Sequence, residues 1–294
     1  MSRPELLATC WTTAGDALPL KGRDDSPIPL PTRIEQAAAA GFKGFGLLHN
    51  DLENYLRSGG DYPTLSRIFD DLGMKHVELE FLTGWWEAPG SPARAESDHV
   101  LRLLLEAAEK LRPHHVKVGP DITGDEYDLG HWAQEWNRIS DAFAGVGTVI
   151  ALEFMPFANI STLDRAIELV RTAGHPASGL MIDMWHIMRG GVHQLAQLNG
   201  VPLELITGVE LDDADAEQVG TGYEDTIMRR RLPGQGDWPV HELIRILRDK
   251  GWDGPWGVEI LSETYRVRPL EEALPEVFQA TMAQFALADA APSQ

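Results

Sequence analysis

Short apolar runs recur along the chain, and segments with a helical repeat of apolar and polar positions separate them. The runs with strand character are residues 6–11, 42–48, 75–81, 115–118, 147–154, 180–184, 205–211 and 256–261. Because most of these runs are apolar at nearly every position, they are typical of parallel strands covered on both faces. Eight strands alternating with helices in a chain of 294 residues predict an α/β fold, a single-domain (β/α)8 TIM barrel.

The intervening segments predict the helices that would surround the barrel. They are residues 32–40, 62–72, 97–111, 132–143, 161–173 and 237–250. Ser97 and Asp237 are suitable N-caps for two of them, and Pro275 predicts that the closing segment forms two helical pieces. We expect the barrel over residues 1–287 and a flexible tail over 288–294. A doubly wound open sheet is the alternative fold, although no G-x-G-x-x-G motif follows a strand.

Composition mainly excludes classes of protein. The chain has 25 basic and 45 acidic side chains and a formal net charge of −20. This balance argues against nucleic-acid binding, which needs clustered Lys and Arg to displace counterions. A lone cysteine, Cys10, excludes an internal disulfide framework, and no run of about 18 apolar residues could span a membrane. The first residues lack an apolar signal segment, so we expect a cytoplasmic protein.

Acidic residues lie at or just after the ends of several predicted strands. They are Glu80, Glu153, Asp183, Glu210, Asp212 and Glu259. In a barrel the C-terminal strand ends meet on one face, where active sites are built. Converging carboxylates would repel one another and raise one another's pKa. A divalent cation resolves this conflict, and oxygen ligands favour Mn²⁺ or Mg²⁺.

Structural roles stay open for several of these residues. A glutamate at a strand end can pair with a basic side chain or accept from loop amides, and Glu80 is the most ambiguous. Asp183 and His186 form a D-x-x-H pattern, which can also be a loop cap. Trp185 is interpreted as a wall of a pocket or loop, a role that sequence does not separate from core packing.

Four local motifs accompany the acidic series: residues 152–156 (LEFMP), 182–186 (IDMWH), 231–236 (RLPGQG) and 257–260 (GVEI). With them, nearly the whole chain resembles the xylose isomerase-like TIM-barrel superfamily, in particular its sugar phosphate isomerase/epimerase group. That group includes ketose 3-epimerases and the inosose isomerases and dehydratases. The Pro-Gly-x-Gly loop, followed by a last strand that ends in Glu, is the most specific part of the resemblance.

The resemblance implies roles for individual residues. The implied metal ligands are Glu153, Asp183, Glu210 and Glu259. The expected substrate contacts are His186, Arg231, Glu80 and Trp185. Glu153 and Glu259 would also move protons as the catalytic residues. Arginines occupy 229–231, and Arg231 is the nearest to the loop. Strand seven departs from the family, which usually has a histidine ligand there; Glu210 is the best register match and Asp212 the other possibility.

These observations predict a metal-dependent isomerase or epimerase acting on a small polyhydroxy carbonyl compound. A carboxylate would take a proton next to a metal-polarised carbonyl, leaving an enediolate. Proton return would give epimerisation or isomerisation, whereas loss of a β-leaving group would give a lyase or dehydratase. A non-catalytic sugar-binding barrel subunit is the other alternative. The resemblance also implies a possible homo-oligomer.

Overall fold

Eight parallel strands close into a barrel in chain order in the computed structural model, which describes residues 3–19 and 24–290. The strands are β1 (Leu6–Ala8), β2 (Gly44–Leu48), β3 (His76–Leu82), β4 (His115–Val118), β5 (Ile150–Glu153), β6 (Ser178–Asp183), β7 (Ile206–Leu211) and β8 (Trp256–Val258). β8 pairs in parallel with β1 and so completes the ring. The predicted TIM barrel is confirmed.

Helices surround this barrel and cover its outer surface. They are α1 (Cys10–Thr13), α2 (Leu30–Ala40), α3 (His49–Arg57), α4 (Tyr62–Leu72), α5 (Pro92–Leu111), α6 (Leu129–Gly145), α7 (Leu163–Ala173), α8 (Met184–Arg189), α9 (His193–Gln197), α10 (Gly222–Met228), α11 (Val240–Lys250) and α12 (Leu270–Ala290). Two single 3₁₀ turns, Leu198–Gly200 and Leu203–Leu205, precede β7. None of the helices in the described part of the chain combines the length and apolar character that a bilayer crossing requires.

Local capping explains why α4 has the predicted bounds. The Asp61 side chain accepts a hydrogen bond from the backbone N–H of Thr64 at 2.7 Å and so caps the first turn. Gly73 ends the helix in the left-handed conformation, φ 65°, and its N–H bonds carbonyls of the last turn. Start and stop signals therefore lie in the sequence itself.

Two predicted caps were wrong. α5 begins at Pro92, with Ser91 as the capping side chain, and Ser97 is buried within the helix. The sequence interpretation missed this earlier start, although a proline such as Pro92 is tolerated in the first turn of a helix. α11 has no side-chain cap, and the carboxylate of Asp237 instead accepts from the backbone N–H of Ala216 at 2.7 Å.

The C-terminal segment and the first strand also differ from prediction. Helix α12 runs unbroken through Pro275, because Leu274 and Val277 on either side are fully buried and hold the helix against the barrel. It ends at Ala290, past the predicted start of the tail, and residues 291–294 lie outside the described residues. β1 ends at Ala8, and the predicted strand gives way to helix α1, which starts at Cys10.

Candidate active site

Four carboxylates from consecutive strands meet inside the C-terminal end of the barrel. Glu153 and Asp183 are the last residues of β5 and β6, and Glu259 directly follows β8. Glu210 lies in β7, in register with Asp183 on one side and Gly257 on the other. One oxygen from each of the four lies within 4.8 Å of the others. The residues predicted as metal ligands are therefore brought together.

A lysine that the sequence interpretation did not include lies among these carboxylates. Lys117, on β4, is 1% exposed and its ammonium contacts Glu80 and Glu210 at 2.8 Å and Glu259 at 2.9 Å. Although burial acts to lower it, the pKa of Lys117 is raised well above its ordinary value by the surrounding carboxylates. The only signal in the sequence was a lysine in a short apolar run, a position where a charge needs a partner.

Arg230 is the second buried cation of the cluster. Its guanidinium contacts Asp183 at 2.7 Å, Glu259 at 3.0 Å and also Asp212. Asp212 therefore serves as a partner of Arg230, while Glu210 is the strand-seven carboxylate inside the group of four. Planar guanidinium donors suit such bridging between carboxylates.

Arg231, the predicted substrate contact, points toward solvent. Its side chain is 45% exposed and pairs with Asp215 at 2.8 Å, so the structure places it away from the carboxylate group. A β-bridge joins Arg231 to Asp213. Adjacent residues in such an extended segment point to opposite sides, and Arg230 consequently enters the barrel while Arg231 faces solvent.

His186 and Trp185 follow Asp183 in helix α8. The Asp183 carboxylate caps this helix by accepting from the His186 backbone N–H at 2.9 Å, and the His186 ring nitrogen Nε2 lies 3.4 Å from Glu153. His186 lines the cavity. Trp185 is fully buried, packed edge-to-face on His186 with Arg230 over its ring at 5.8 Å, and so supports both side chains from behind.

Three of the carboxylates form the polar floor of a cavity of about 660 Å³. Glu80, at the end of β3, lines it together with Glu153 and Glu259, and its carboxylate also accepts from the Cys10 backbone N–H at 3.2 Å. Aromatic and apolar side chains form the walls; they include Trp11, Phe81, Trp86, Met155 and Phe157. Trp86 is stacked on Trp132 with ring centroids 4.7 Å apart, which fixes its orientation.

Burial and neighbouring charges give the carboxylates different pKa values. Burial raises the pKa of Glu259 to about 7, and burial together with the nearby Glu259 charge raises that of Glu210 well above its ordinary value. For Glu153 burial also acts upward, but Lys117 and His186 outweigh it and lower the pKa to about 2. Glu153 is thus ionised at neutral pH, whereas Glu259 titrates near neutrality.

The donor set fits a hard divalent cation. Six carboxylates (Glu80, Glu153, Asp183, Glu210, Asp212 and Glu259) face the two cations Lys117 and Arg230, an excess of four negative charges when all are ionised. Among the described residues, none hydrogen-bonds the buried Oε2 of Glu210. Uncompensated buried charge is costly, so a divalent ion held by carboxylate oxygens would relieve both features.

The Pro-Gly-x-Gly loop is held by a single carboxylate. Asp213 accepts from the backbone N–H groups of Ala214, Gly234, Gly236 and Trp238 at 2.8–3.0 Å. A Cβ at Gly236 would meet Asp213 Oδ1 and the Ala214 carbonyl oxygen at 2.4 Å, which explains the glycine. The amides of this loop are therefore engaged within the chain, and the motif shapes the segment that carries Arg230.

A model of the xylose isomerase-like TIM barrel matches residues 34–283. The chain belongs to this family. Among curated relatives, 3-dehydroshikimate dehydratase from Pseudomonas putida is 25% identical over 83% of the chain, a match that covers 38% of its own length. Inosose isomerase from Halalkalibacterium halodurans is 27% identical over 58% of the chain and 61% of its own length. The chain thus spans well under half of the dehydratase relative.

Solved structures of other proteins show the same fold. A zinc-bound protein named IOLI superposes with a TM-score of 0.78 at 19% identity, covering 98% of this chain and 100% of its own. D-psicose 3-epimerase from Clostridium cellulolyticum gives 0.67 at 14% identity over 97% and 98% of the two chains. The curated relatives described above are thus named as a dehydratase and an isomerase.

Proposed function

We propose that this protein is a divalent-metal-dependent isomerase or epimerase of a small keto-sugar or cyclitol. The observation that carries the proposal is the group of four carboxylates from β5 to β8, of which Glu153 and Glu259 belong to the floor of a cavity of about 660 Å³. Aromatic walls above a polar floor suit a polyhydroxy ring or chain, which has both apolar C–H faces and hydroxyl edges.

Glu153, Asp183, Glu210 and Glu259 would hold the cation, which when bound would polarise a substrate carbonyl and acidify the neighbouring C–H. Glu259 is the proposed base. Burial acts to raise its pKa, which favours its accepting a proton, and Lys117 and Arg230 contact its two oxygens at 2.9 and 3.0 Å.

Glu153 and His186 would return a proton to the intermediate. The two side chains face each other at 3.4 Å, so a proton can be held between His186 Nε2 and the Glu153 carboxylate. Return of a proton to the same carbon from the other face gives epimerisation. Return to the neighbouring carbon, with transfer between the two substrate oxygens, gives isomerisation.

A dehydratase is the second candidate, favoured by one specific observation. The dehydratase relatives from two Pseudomonas species match 83% and 82% of the chain, more than the isomerase relatives do. The same base would remove the proton, and His186 would supply a proton to the departing hydroxyl, so that water leaves and a double bond forms.

Solvent deuterium exchange tests the proposal. The protein loaded with Mn²⁺ is incubated in D₂O with a panel of keto-sugars, inososes and 3-dehydroshikimate, and exchange and products are followed by NMR and mass spectrometry. Exchange with a rearranged product supports the isomerase or epimerase, whereas a product lighter by water supports the dehydratase. Absence of both exchange and product across the panel, together with absence of Mn²⁺ binding, contradicts the proposal.

The variant Glu259→Gln should abolish exchange, because an amide cannot accept the proton. Glu263→Gln is the matched control, since Glu263 is exposed and lies four residues further along the same segment. Undiminished exchange in Glu259→Gln would remove Glu259 from the role of base.

A further inference from the structure

The ammonium group of Lys117 lies among three carboxylates of the cluster. Lys117 donates hydrogen bonds to Glu210 and Glu259 at 2.8 and 2.9 Å, and it forms an ion pair with Glu80 at 2.8 Å. These partners come from β3, β7 and the end of β8, so the lysine crosses the barrel interior from β4 to reach the opposite side.

Two of its three partners are proposed metal ligands. Lys117 occupies Oε1 of Glu210 and Oε1 of Glu259, while Arg230 contacts Oε2 of Glu259. Glu210 Oε2 remains buried, and the described part of the chain supplies it no hydrogen-bond partner. The lysine thus contacts two of the carboxylates that would surround a cation.

We infer that Lys117 is a permanent counter-cation of the metal site, whose positive charge compensates the negative charge of Glu210. This inference rests on the proposed metal-dependent function. The ammonium stabilises the carboxylates when no metal is bound, and its like charge opposes a divalent ion bound beside it. An additional carboxylate ligand strengthens cation binding, and a neighbouring positive charge offsets that gain.

A purely structural lysine makes the opposite prediction for metal affinity. If Lys117 served only to hold Glu210 and Glu259 in position, its removal would disorder two ligands and weaken metal binding. If Lys117 acts as the counter-cation, its removal strengthens metal binding while it destabilises the metal-free protein. The sign of the change in affinity therefore separates the two roles.

The experiment measures Mn²⁺ affinity by competition with a chromophoric chelator, and thermal stability in the presence of excess chelator. Lys117→Met should bind Mn²⁺ at least about tenfold more tightly than the unaltered protein, with a lower melting temperature when metal-free. Lys75→Met is the matched control, because Lys75 is 59% exposed and pairs with Glu5 at the other end of the barrel. It should leave the affinity unchanged.

A second comparison holds even where Lys117→Met alone does not fold. Glu210→Gln removes one ligand charge and should weaken Mn²⁺ binding, and the double variant Lys117→Met with Glu210→Gln should bind at least about tenfold more tightly than Glu210→Gln. The double variant restores the original net charge, so its affinity should return toward that of the unaltered protein.

Weaker or unchanged Mn²⁺ binding on loss of Lys117, in either comparison, overturns the inference while the metal-dependent function stands. Failure of the unaltered, folded protein to bind Mn²⁺ at all contradicts the proposed function itself. The Lys117 variants therefore test the inference, and the unaltered protein tests the proposed function.

Discussion

Arg230 and Arg231 are neighbours in the chain with opposite surroundings. Arg230 is buried and bridges Asp183 and Glu259, whereas Arg231 pairs with the half-exposed Asp215. Both were candidates from the sequence, together with Arg229. Nearness to the Pro-Gly-x-Gly loop favoured Arg231, whereas Arg230 is the arginine that lines the cavity. The alternation of side chains along an extended segment decided which arginine enters the barrel.

Arg230→Lys should lower kcat/KM by roughly a hundredfold, because a single ammonium cannot reproduce the bridging geometry of a guanidinium. Arg231→Lys should leave kcat/KM within about twofold, since an exposed ion pair contributes little. Steady-state kinetics on the substrate found by deuterium exchange provide the measurement. Equal losses of kcat/KM in the two variants would contradict the different roles of Arg230 and Arg231.

A pair of histidines near the other end of the barrel predicts acid sensitivity. Burial lowers the pKa of His114 and of His115 to about 3, and their Nδ1 atoms share one hydrogen bond at 3.0 Å. The pKa of each histidine in the folded protein lies below the value of 6.5 that it has in the unfolded chain. Between these two values the unfolded chain therefore binds protons that the folded protein does not bind. This contribution to stability is complete above pH 6.5 and is lost as the pH falls toward 3.

His114→Gln should remove part of that acid sensitivity. Between pH 6.5 and 4.5 its free energy of unfolding should fall by about 2 kcal/mol less than that of the unaltered protein. Urea unfolding at a series of pH values measures the difference. Parallel pH profiles for the two proteins would show that His114 is not a source of the acid sensitivity.

At the scale of elements, the Pro-Gly-x-Gly loop between α10 and α11 depends on Asp213. Its carboxylate accepts four backbone N–H groups, and it is 0% exposed. Burial raises its pKa while these four hydrogen bonds act to lower it. The Pro-Gly-x-Gly motif, which is the most specific part of the family resemblance, is thus built around an acceptor that lies some twenty residues earlier in the chain.

Asp213→Asn should lower the free energy of unfolding by about 2–4 kcal/mol, because an amide donor would then face backbone donors inside the loop. Asp215→Asn, a matched change at a half-exposed position, should cost less than about 1 kcal/mol. Chemical denaturation of the two variants compares them directly. A small effect of Asp213→Asn would indicate that the loop is held by other contacts.

For the whole molecule, the excess of negative charge inside the barrel predicts that a divalent ion stabilises the fold. At a free Mn²⁺ concentration of 100 Kd the gain is about 2.7 kcal/mol, which corresponds to a rise in melting temperature of several degrees. Glu153→Gln, which loses a proposed ligand, should show a much smaller rise. Differential scanning calorimetry with and without chelator tests this, and identical shifts in both proteins would contradict the proposed ligand set.

The sequence alone determined the strand order, the helical repeat and four of the carboxylates that converge, because these depend on local periodicity and on where a charge follows an apolar run. Glu153, Asp183, Glu210 and Glu259 needed only the rule that strand ends meet on one face of a barrel. The predicted caps of α5 and α11 were wrong, since several residue types can start a helix: Ser91 caps α5 instead of Ser97, and the side chain of Asp237 does not cap α11.

Only the tertiary structure decided which charges compensate one another. Lys117 is one lysine in an apolar run, and nothing in its neighbours along the chain relates it to Glu210 or Glu259, 93 and 142 residues away. Closing the barrel brings β4 across from β7 and β8 and makes them partners. Ion pairing depends on distance in space, whereas periodicity depends on distance along the chain, and this difference separates what the sequence determined from what the fold decided.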